Sequence, residues 1–255
     1  ENKTATVEPG MVLDHLNRAL VKEGLMFPVD VSTGSRATIG GMTGNNSCGA
    51  RSIRYGTMRD NVSALEAIFI DGSRHQFGLS SRDNEPNRFN RQLFDIGDKY
   101  AEEVAHRFPD VQRRVGGYNI DALARLPNGT NNLAHLLVGS EGTLAYSERI
   151  QLHLSNLPSH KVLGGCHFPT FYAAMDSAQH IVKLGPSAVE LVDRTMIELA
   201  RDIPLFRDVI GQIVVGQPDA LLLVEFSGDD FDAQLQGLKQ LQELMSDLGF
   251  SGGVT

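Results

Sequence analysis

The stretch Ala37–Arg51, ATIGGMTGNNSCGAR, decides how the rest of the chain is read. Four glycines, two threonines, two asparagines and a serine leave it almost without bulk. Three chemistries use a run of this kind. A mononucleotide P-loop has the spacing of Gly44 and Gly49, but Ala50 and Arg51 stand where a phosphate-binding Lys and a magnesium-binding Ser or Thr are required. A nucleophile elbow would set Ser47 between two glycines, and Asn45 crowds the first of those positions. The third is a backbone-lined cradle, in which small residues let main-chain N–H groups approach a pyrophosphate or a cofactor ring. Thr38, Thr43, Asn46 and Ser47 would add hydrogen bonds to it. The spacing GxGxxG is absent, so the usual dinucleotide turn is excluded. On these residues alone, a cradle and a glycine loop without ligand both stand.

Outward from that stretch, the 255 residues suffice for one large domain or two smaller ones. A net charge of −8 without a local basic cluster argues against a nucleic-acid surface. The two cysteines, Cys48 and Cys166, form neither a disulfide framework nor a CxxC metal pair, which reads as an intracellular, cytoplasmic chain. No signal peptide or transmembrane-length apolar run is visible. The first residues, ENKTATVEPGMVLDHL, and the last, LGFSGGVT, read as if cut from a longer protein, with a strand expected after the final helix.

Along the chain, Pro9-Gly10 predict a turn before an amphipathic helix carrying Val12, Leu13, Leu16, Ala19 and Leu20, stopped at Gly24. Ala64–Phe77 predicts a hairpin around Asp71-Gly72-Ser73. Residues 79–132 read as an insertion whose single helix carries Leu93, Ile96, Tyr100, Val104 and Phe108 on one stripe and ends at Pro109. LAHLLVGSEGTLAYSERIQLHL predicts strand, tight turn, strand. Beyond residue 155 the pattern becomes a β–α series: a strand KVLGGCHF, a helix at 170–184 facing inward with Phe171, Ala174, Met175, Ala178 and Ile181, a short helix near 193–201, a strand at 221–226 and a helix from Asp230 to Leu248.

In order and spacing, VEPGMVLDHLNRALVKEGLMFPVD, ATIGGMTGNNSCGARSIRYGTMRDNV, LEAIFIDG and LLVGSEGTLAYSERIQLHL resemble the FAD-binding domain of flavoproteins of the p-cresol methylhydroxylase/vanillyl-alcohol oxidase type. Within that type the likeness is to D-lactate, D-2-hydroxyglutarate and glycolate dehydrogenases. AVELVDRTMIELAR and LLLVEFSGDD are similar to the first half of their substrate domain. The resemblance implies an α+β fold. The C-terminal part of a PCMH-type FAD-binding domain is expected over residues 1–155, and the first half of an α/β, ferredoxin-like substrate or cap domain over 156–255. The cofactor implied is FAD. Pro9, Gly10, Pro28, Asp30 and Ser32 would line it, Thr38, Ile39, Gly40 and Gly41 would run along its pyrophosphate and ribityl region, and Thr43, Gly44, Asn46, Ser47, Cys48 and Gly49 would approach the flavin ring. Glu141, Gly142, Thr143 and Leu144 would close the other side. The implied reaction is oxidation of a D-2-hydroxy acid by hydride transfer to flavin N5, with the catalytic base outside this chain; the alternative is a folded piece that binds no FAD and has no activity alone.

The inserted helix with RRVGGYNIDAL and NNSCGARS looks most like large bacterial members. Their iron–sulfur cluster would belong to a further domain, since two cysteines supply none here. Contact with a membrane would be peripheral and made by other parts of the parent protein. Other residues carry two readings each. Cys48 suits packing under a ring better than covalent attachment. Arg51, Arg54 and Arg59 suit either an anion or pairing with nearby acids. His135 reads as a packed core-strand histidine, His153 and His160 as residues without ligand spacing, and Glu190 with Asp193 as a helix-start pair for capping rather than catalysis.

Overall fold

The computed structural model describes residues 2–83 and 86–255; Glu1, and Asn84 and Glu85 of the polar stretch before the inserted helix, lie outside the described residues. The chain divides into Glu1–Leu157 and Pro158–Thr255. The first unit runs β1 (Thr4–Val7), α1 (Leu13–Leu20), β2 (Leu25–Met26), α2 (Ile39–Gly44), α3 (Ser52–Tyr55), α4 (Met58–Asn61), β3 (Val62–Ile68), β4 (Arg74–Phe77), β5 (Leu79–Ser81), α5 (Arg88–Lys99), α6 (Ala101–Arg107), β6 (Thr130–Asn132), α7 (Ala134–Leu137), β7 (Tyr146–His153) and β8 (Ser155–Asn156).

An antiparallel sheet in the order β1-β7-β3-β4 organises this unit. Its register sets Leu65 opposite both Phe77 and Ile150, and Val7 opposite Ile150, so one face is apolar. That face joins Leu13 and Leu16 of α1, Ile39 and Met42 of α2, and Ala134 and Leu137 of α7 in one core. The β3–β4 turn forms as the Asp-Gly step predicts: Gly72 takes φ +81° and Asp71 Oδ1 accepts from Ser73 N at 2.9 Å. The expected first helix is present, ending through a 3-10 turn at Gly24 (φ +67°), although Ala19 is exposed.

Three expectations fail in this unit. The inserted helix is two helices, broken at Tyr100 (φ −107°, ψ 11°), and its buried face is Leu93, Phe94 and Gly97 rather than the stripe through Ile96 and Tyr100, which are exposed. Gly97 sets that face, because a Cβ there would stand 2.1 Å from Leu123 O. Residues 134–137 are helical rather than a strand, so His135 sits on α7. The glycine stretch is no loop at its centre: α2 occupies 39–44, capped by Thr38, whose Oγ1 accepts from Gly41 N at 3.3 Å.

The second unit runs β9 (His160–Phe168), α8 (Phe171–Ile181), β10 (Ala188–Asp193), α9 (Arg194–Asp202), α10 (Pro204–Ile213), β11 (Ala220–Gly228) and α11 (Phe231–Asp247). The sheet order β10-β11-β9 is antiparallel throughout, with β9 and β10 parallel to each other on either side of β11, as in a ferredoxin-like split βαβ arrangement. Gly253–Thr255 pair along the other side of β9, with Thr255 N on Gly165 O at 3.0 Å. Both faces of β11 are covered. Ala220, Leu222, Val224 and Phe226 pack with residues of α8 and α11, and Leu221 with Ile197 of α9 and Val214. The sequence reading missed β10 and α10. It also set Glu190 at a helix start, where the structure has it in β10; Asp193 alone caps α9, accepting from Met196 N at 2.8 Å. Phe171, Met175, Phe231 and Leu235, expected inside, are exposed. No described helix is long and apolar enough to cross a membrane.

A candidate cofactor cleft

β1 delivers the chain into the Pro9-Gly10 turn, and α2 is laid against that turn by two backbone bonds. Gly40 N donates to Pro9 O and Ile39 N to Met11 O, each at 2.8 Å. One side of α2 (Ile39, Met42, Thr43) is buried, which leaves Gly40, Gly41 and Gly44 on the other. The far end of α2 is met by the turn at 139–142: Gly139 N donates to Thr43 O and Glu141 N to Gly44 O, both at 2.9 Å. That turn needs left-handed backbone at Gly139 (φ +82°), Glu141 (+53°) and Gly142 (+71°). Between these pieces lies an open cleft of about 400 Å³. Pro9, Gly10, Thr38, Gly40, Gly41 and Gly44 form one wall, and Leu137, Ser140, Gly142, Ala145, Tyr146 and Ser147 the other.

Two kinds of glycine occur here. A Cβ on Gly40 would meet Pro9 Cβ at 2.5 Å, and one on Gly49 would meet Asp30 O at 2.0 Å, so the chain's own packing requires both glycines. A Cβ on Gly10 meets nothing within 4 Å, and on Gly44 nothing nearer than Glu141 Cα at 3.9 Å. At those positions the fold leaves room that its own atoms do not fill. Ser140 adds chemistry to this wall: it is 3% exposed, and its hydroxyl has no protein partner among the described residues. Such a cleft fits a group that brings its own bulk and seeks close approach to backbone and hydroxyls.

Of the residues singled out in the sequence, the structure brings Pro9, Gly10, Thr38, Gly40, Gly41, Gly44 and Gly142 to the cleft. Pro28, Asp30 and Ser32 are not among its lining residues. Asp30 is placed beside Gly49 instead, with Oδ1 accepting from Arg51 N at 3.1 Å. Ile39 is wholly buried in the core, against which Leu144 also packs. The side chains expected to reach a ligand are engaged internally. Thr43 Oγ1 donates to Ile39 O at 2.8 Å, and Ser47 Oγ to Asn45 Oδ1 at 2.6 Å. Asn46, at φ +50°, accepts from Arg59 N at 2.9 Å and donates to Arg114 O at 3.3 Å. Cys48 is half-buried, Glu141 is exposed, and Thr143 Oγ1 donates to Ser140 O at 2.5 Å. Leu137, Ser140, Ala145, Tyr146 and Ser147 were missed; Ser140 lies within the GSEGT motif and the others flank it, and its small residues were the signal that could have pointed to them.

Behind α2 lies a polar network. Asp121 takes Arg59 on Oδ2 at 2.7 Å and Arg114 on Oδ1 at 2.5 Å. Partial burial pushes its carboxyl up, but the hydrogen bonds and charges of the two guanidinium groups hold it below the usual carboxylate range. Asn119, buried, accepts from both arginines at 3.4 Å and donates to Val138 O at 2.8 Å. Burial first, then the charge of Arg59, pushes His135 down to about 4. Its Nε2 lies 3.1 Å from Asn132 Nδ2, which can only donate, so this nitrogen accepts and the imidazole is neutral. Among the described residues no group of three or more His, Cys, Asp or Glu is arranged to hold a metal ion.

Residues 1–78 match the family model described as an FAD binding domain, and residues 157–255 match that of FAD linked oxidases, C-terminal domain. The chain carries segments of both domains of the FAD-linked oxidases. One wall of the cleft therefore falls in the matched FAD-binding span, and the other falls between the two spans. The chain is 31% identical over 263 residues to D-2-hydroxyglutarate dehydrogenase of Pseudomonas putida, an alignment covering 97% of this chain and 26% of that protein. It is 32% identical over 200 residues to a probable mitochondrial D-lactate dehydrogenase of Danio rerio, covering 77% of this chain and 32% of that protein. The chain thus spans between a quarter and a third of the length of these relatives. A solved structure of alkyldihydroxyacetonephosphate synthase superposes over 100% of this chain and 41% of its own, with a TM-score of 0.64 at 18% identity, which establishes the shared fold.

Proposed function

We propose that the cleft between Pro9-Gly10, α2 and the 139–142 turn holds part of an FAD, and that the whole protein oxidises a D-2-hydroxy acid of the D-2-hydroxyglutarate, D-lactate or glycolate type. The observation carrying this reading is the open, side-chain-free surface at Gly10 and Gly44 within a span matching an FAD binding domain. Bound FAD supplies the acceptor for a hydride from C2 of the hydroxy acid, while a base takes the hydroxyl proton and a 2-oxo acid remains. The chain's own share is positioning. Gly10, Gly41 and Gly44 admit the cofactor, Thr38 and Ser140 offer hydroxyl oxygens at the walls, and the Gly139–Gly142 turn fixes the distance between them. His135 is no candidate for the base: its Nε2 is already engaged by Asn132.

A second reading has its own support. Thr43, Asn46 and Ser47 are satisfied within the protein, so the unit folds around its own hydrogen bonds and need not carry FAD by itself. Incubation with FAD, desalting and a visible absorption spectrum separate the two. Retained flavin bands that disappear in Gly44→Leu, with the circular dichroism spectrum unchanged, support the cleft. A colourless wild-type chain assigns the cofactor site to the whole protein and leaves this chain the role of a folded part.

A further inference from the structure

The segment Arg113–Asp121 falls outside both matched spans, yet its residues bond to residues that follow α2 and to residues on both sides of the 139–142 turn. Arg113 Nη2 donates to Gly49 O at 2.6 Å. The Arg114 carbonyl accepts from Asn46, just beyond α2. Asn119 donates to the carbonyls of His135 and Val138, at the start of the 139–142 turn. Asp121 fastens the segment through Arg59 and Arg114. Tyr118 makes the contact nearest the cleft: its hydroxyl lies 2.7 Å from Thr143 Oγ1.

The direction of that last bond follows from counting protons. Thr143 has one hydroxyl proton and gives it to Ser140 O, so the proton between Tyr118 and Thr143 comes from Tyr118. Two bonds therefore run from the phenol to the backbone of Ser140, a residue of the cleft wall. Tyr118 is itself 45% exposed and belongs to none of the described apolar cores. The turn it steadies contains Glu141 at φ +53°, a conformation that a non-glycine residue rarely adopts and that needs its neighbours to hold it.

We propose that Tyr118 is a positioning residue for the cofactor cleft, acting through Thr143 on the Ser140–Gly142 wall. The inference rests on the FAD reading above. Removal of the phenolic hydroxyl loosens the wall without emptying any core, so ligand binding and stability respond differently.

The test uses the whole chain and four proteins: wild type, Tyr118→Phe, Thr143→Val and the double variant. FAD affinity is followed by quenching of flavin fluorescence, alongside the melting temperature of the apo chain. Tyr118→Phe is expected to weaken FAD binding about three- to tenfold, the effect of one lost hydrogen bond, at an unchanged melting temperature. The double variant is expected to bind no more weakly than Thr143→Val. Unchanged affinity in Tyr118→Phe, or a loss matched by an equivalent fall in melting temperature, overturns the inference. If the wild-type chain takes up no FAD, the cleft reading fails for this chain, and amide exchange of the apo protein then decides the role of Tyr118. Faster exchange at Glu141 and Thr143 with α7 unchanged supports it, and unchanged exchange at both overturns it.

Discussion

The two units solve the same folding problem with different interiors. Buried polar residues of the first unit include Thr43, Asn46, Asn61, Asn119 and Asn131, whereas those described in the second are the serines Ser177, Ser187 and Ser227. The asparagines hold irregular backbone: Asn131 Nδ2 donates to Ala122 O and Ala124 O, and Asn61 Nδ2 to Tyr55 O and Thr57 O, all at 2.8 Å. In the second unit, strands with both faces covered do that work, and glycine lets the helices down onto them. A Cβ on Gly164 would meet Leu238 and Leu241 at 2.8 Å. The first unit thus builds a cleft by spending hydrogen bonds on loops, and the second builds a packed layer by complementarity of shape. A buried polar group left unpaired costs about 1–3 kcal/mol, so the first interior is sensitive to chemistry where the second is sensitive to volume.

Acid sharpens this contrast most. His135 titrates near 4 when folded, against 6.5 for an unperturbed histidine. Between those values the unfolded chain binds the extra proton. The stabilisation is complete above pH 6.5 and is lost as pH falls towards 4, by roughly 3 kcal/mol at 1.36 kcal/mol per unit. Among the charges around His135, Arg59 opposes protonation, and Asp60 and Asp121 favour it more weakly. Asp121 acts in a lower window: its depressed folded pKa gives stability that persists until the pH falls below the usual carboxylate range. Amide exchange measured from pH 7 to 4 is expected to show protection falling in the first unit and not in the second. His135→Gln should flatten that fall, and an unchanged slope would remove His135 as its cause.

Smaller effects come from single substitutions that set the two interiors side by side. Asn119→Ala strands two backbone carbonyls, removes an acceptor from two guanidinium groups that keep Asp121, and is expected to cost about 1–3 kcal/mol. Gly164→Ala removes no hydrogen bond but forces Leu238 and Leu241 aside, and overpacking of this kind also costs about 1–3 kcal/mol. Urea denaturation of both, repeated with Asn119→Asp, distinguishes the mechanisms. A carboxylate keeps the acceptors for the arginines and recovers part of the first loss. No restoration at all would argue that the amide's donation to the His135 and Val138 carbonyls, which a carboxylate of the same volume cannot make, governs the Asn119 site.

Alternation made β3 and β4 legible in the sequence, because from Leu65 to Ile68 and over Arg74–Phe77 side-chain period and burial agree. Ala220–Gly228, covered on both faces, was legible as an apolar run instead. Where a short apolar run has no room to show its period, the reading fails: LAHLLV, taken as a strand, is α7. AVELVD, read through its acids as a helix start, is β10, and α10 was lost because it begins at Pro204 directly after α9. The most instructive miss is α2. Three glycines in six residues disfavour a helix by about 1 kcal/mol each, so propensity argues for a loop. Tertiary contacts override it: Ile39 and Met42 are buried and Thr38 caps the first turn. The half of the cleft made of glycines was visible as composition. Ser140, Tyr146 and Ser147 were not, because only the fold sets the 139–142 turn against α2, through bonds between backbone groups.

The smallest expected change in stability isolates function most cleanly. Gly44→Ala adds a methyl group at the end of α2, where the nearest protein atom is Glu141 Cα at 3.9 Å, an ordinary contact distance. Relief of glycine's entropy cost favours the variant by up to about 1 kcal/mol, so its melting temperature is expected to hold or rise slightly. The added carbon nevertheless occupies the cleft wall. If FAD lies there, its affinity falls while stability does not, which is the reverse of what Gly164→Ala does in the second unit. A Gly44→Ala chain that gains stability and binds FAD as the wild type does would mean that the open surface of α2 faces solvent rather than cofactor. The cleft would then have to be occupied, if at all, nearer Gly10, where a Cβ meets nothing within 4 Å.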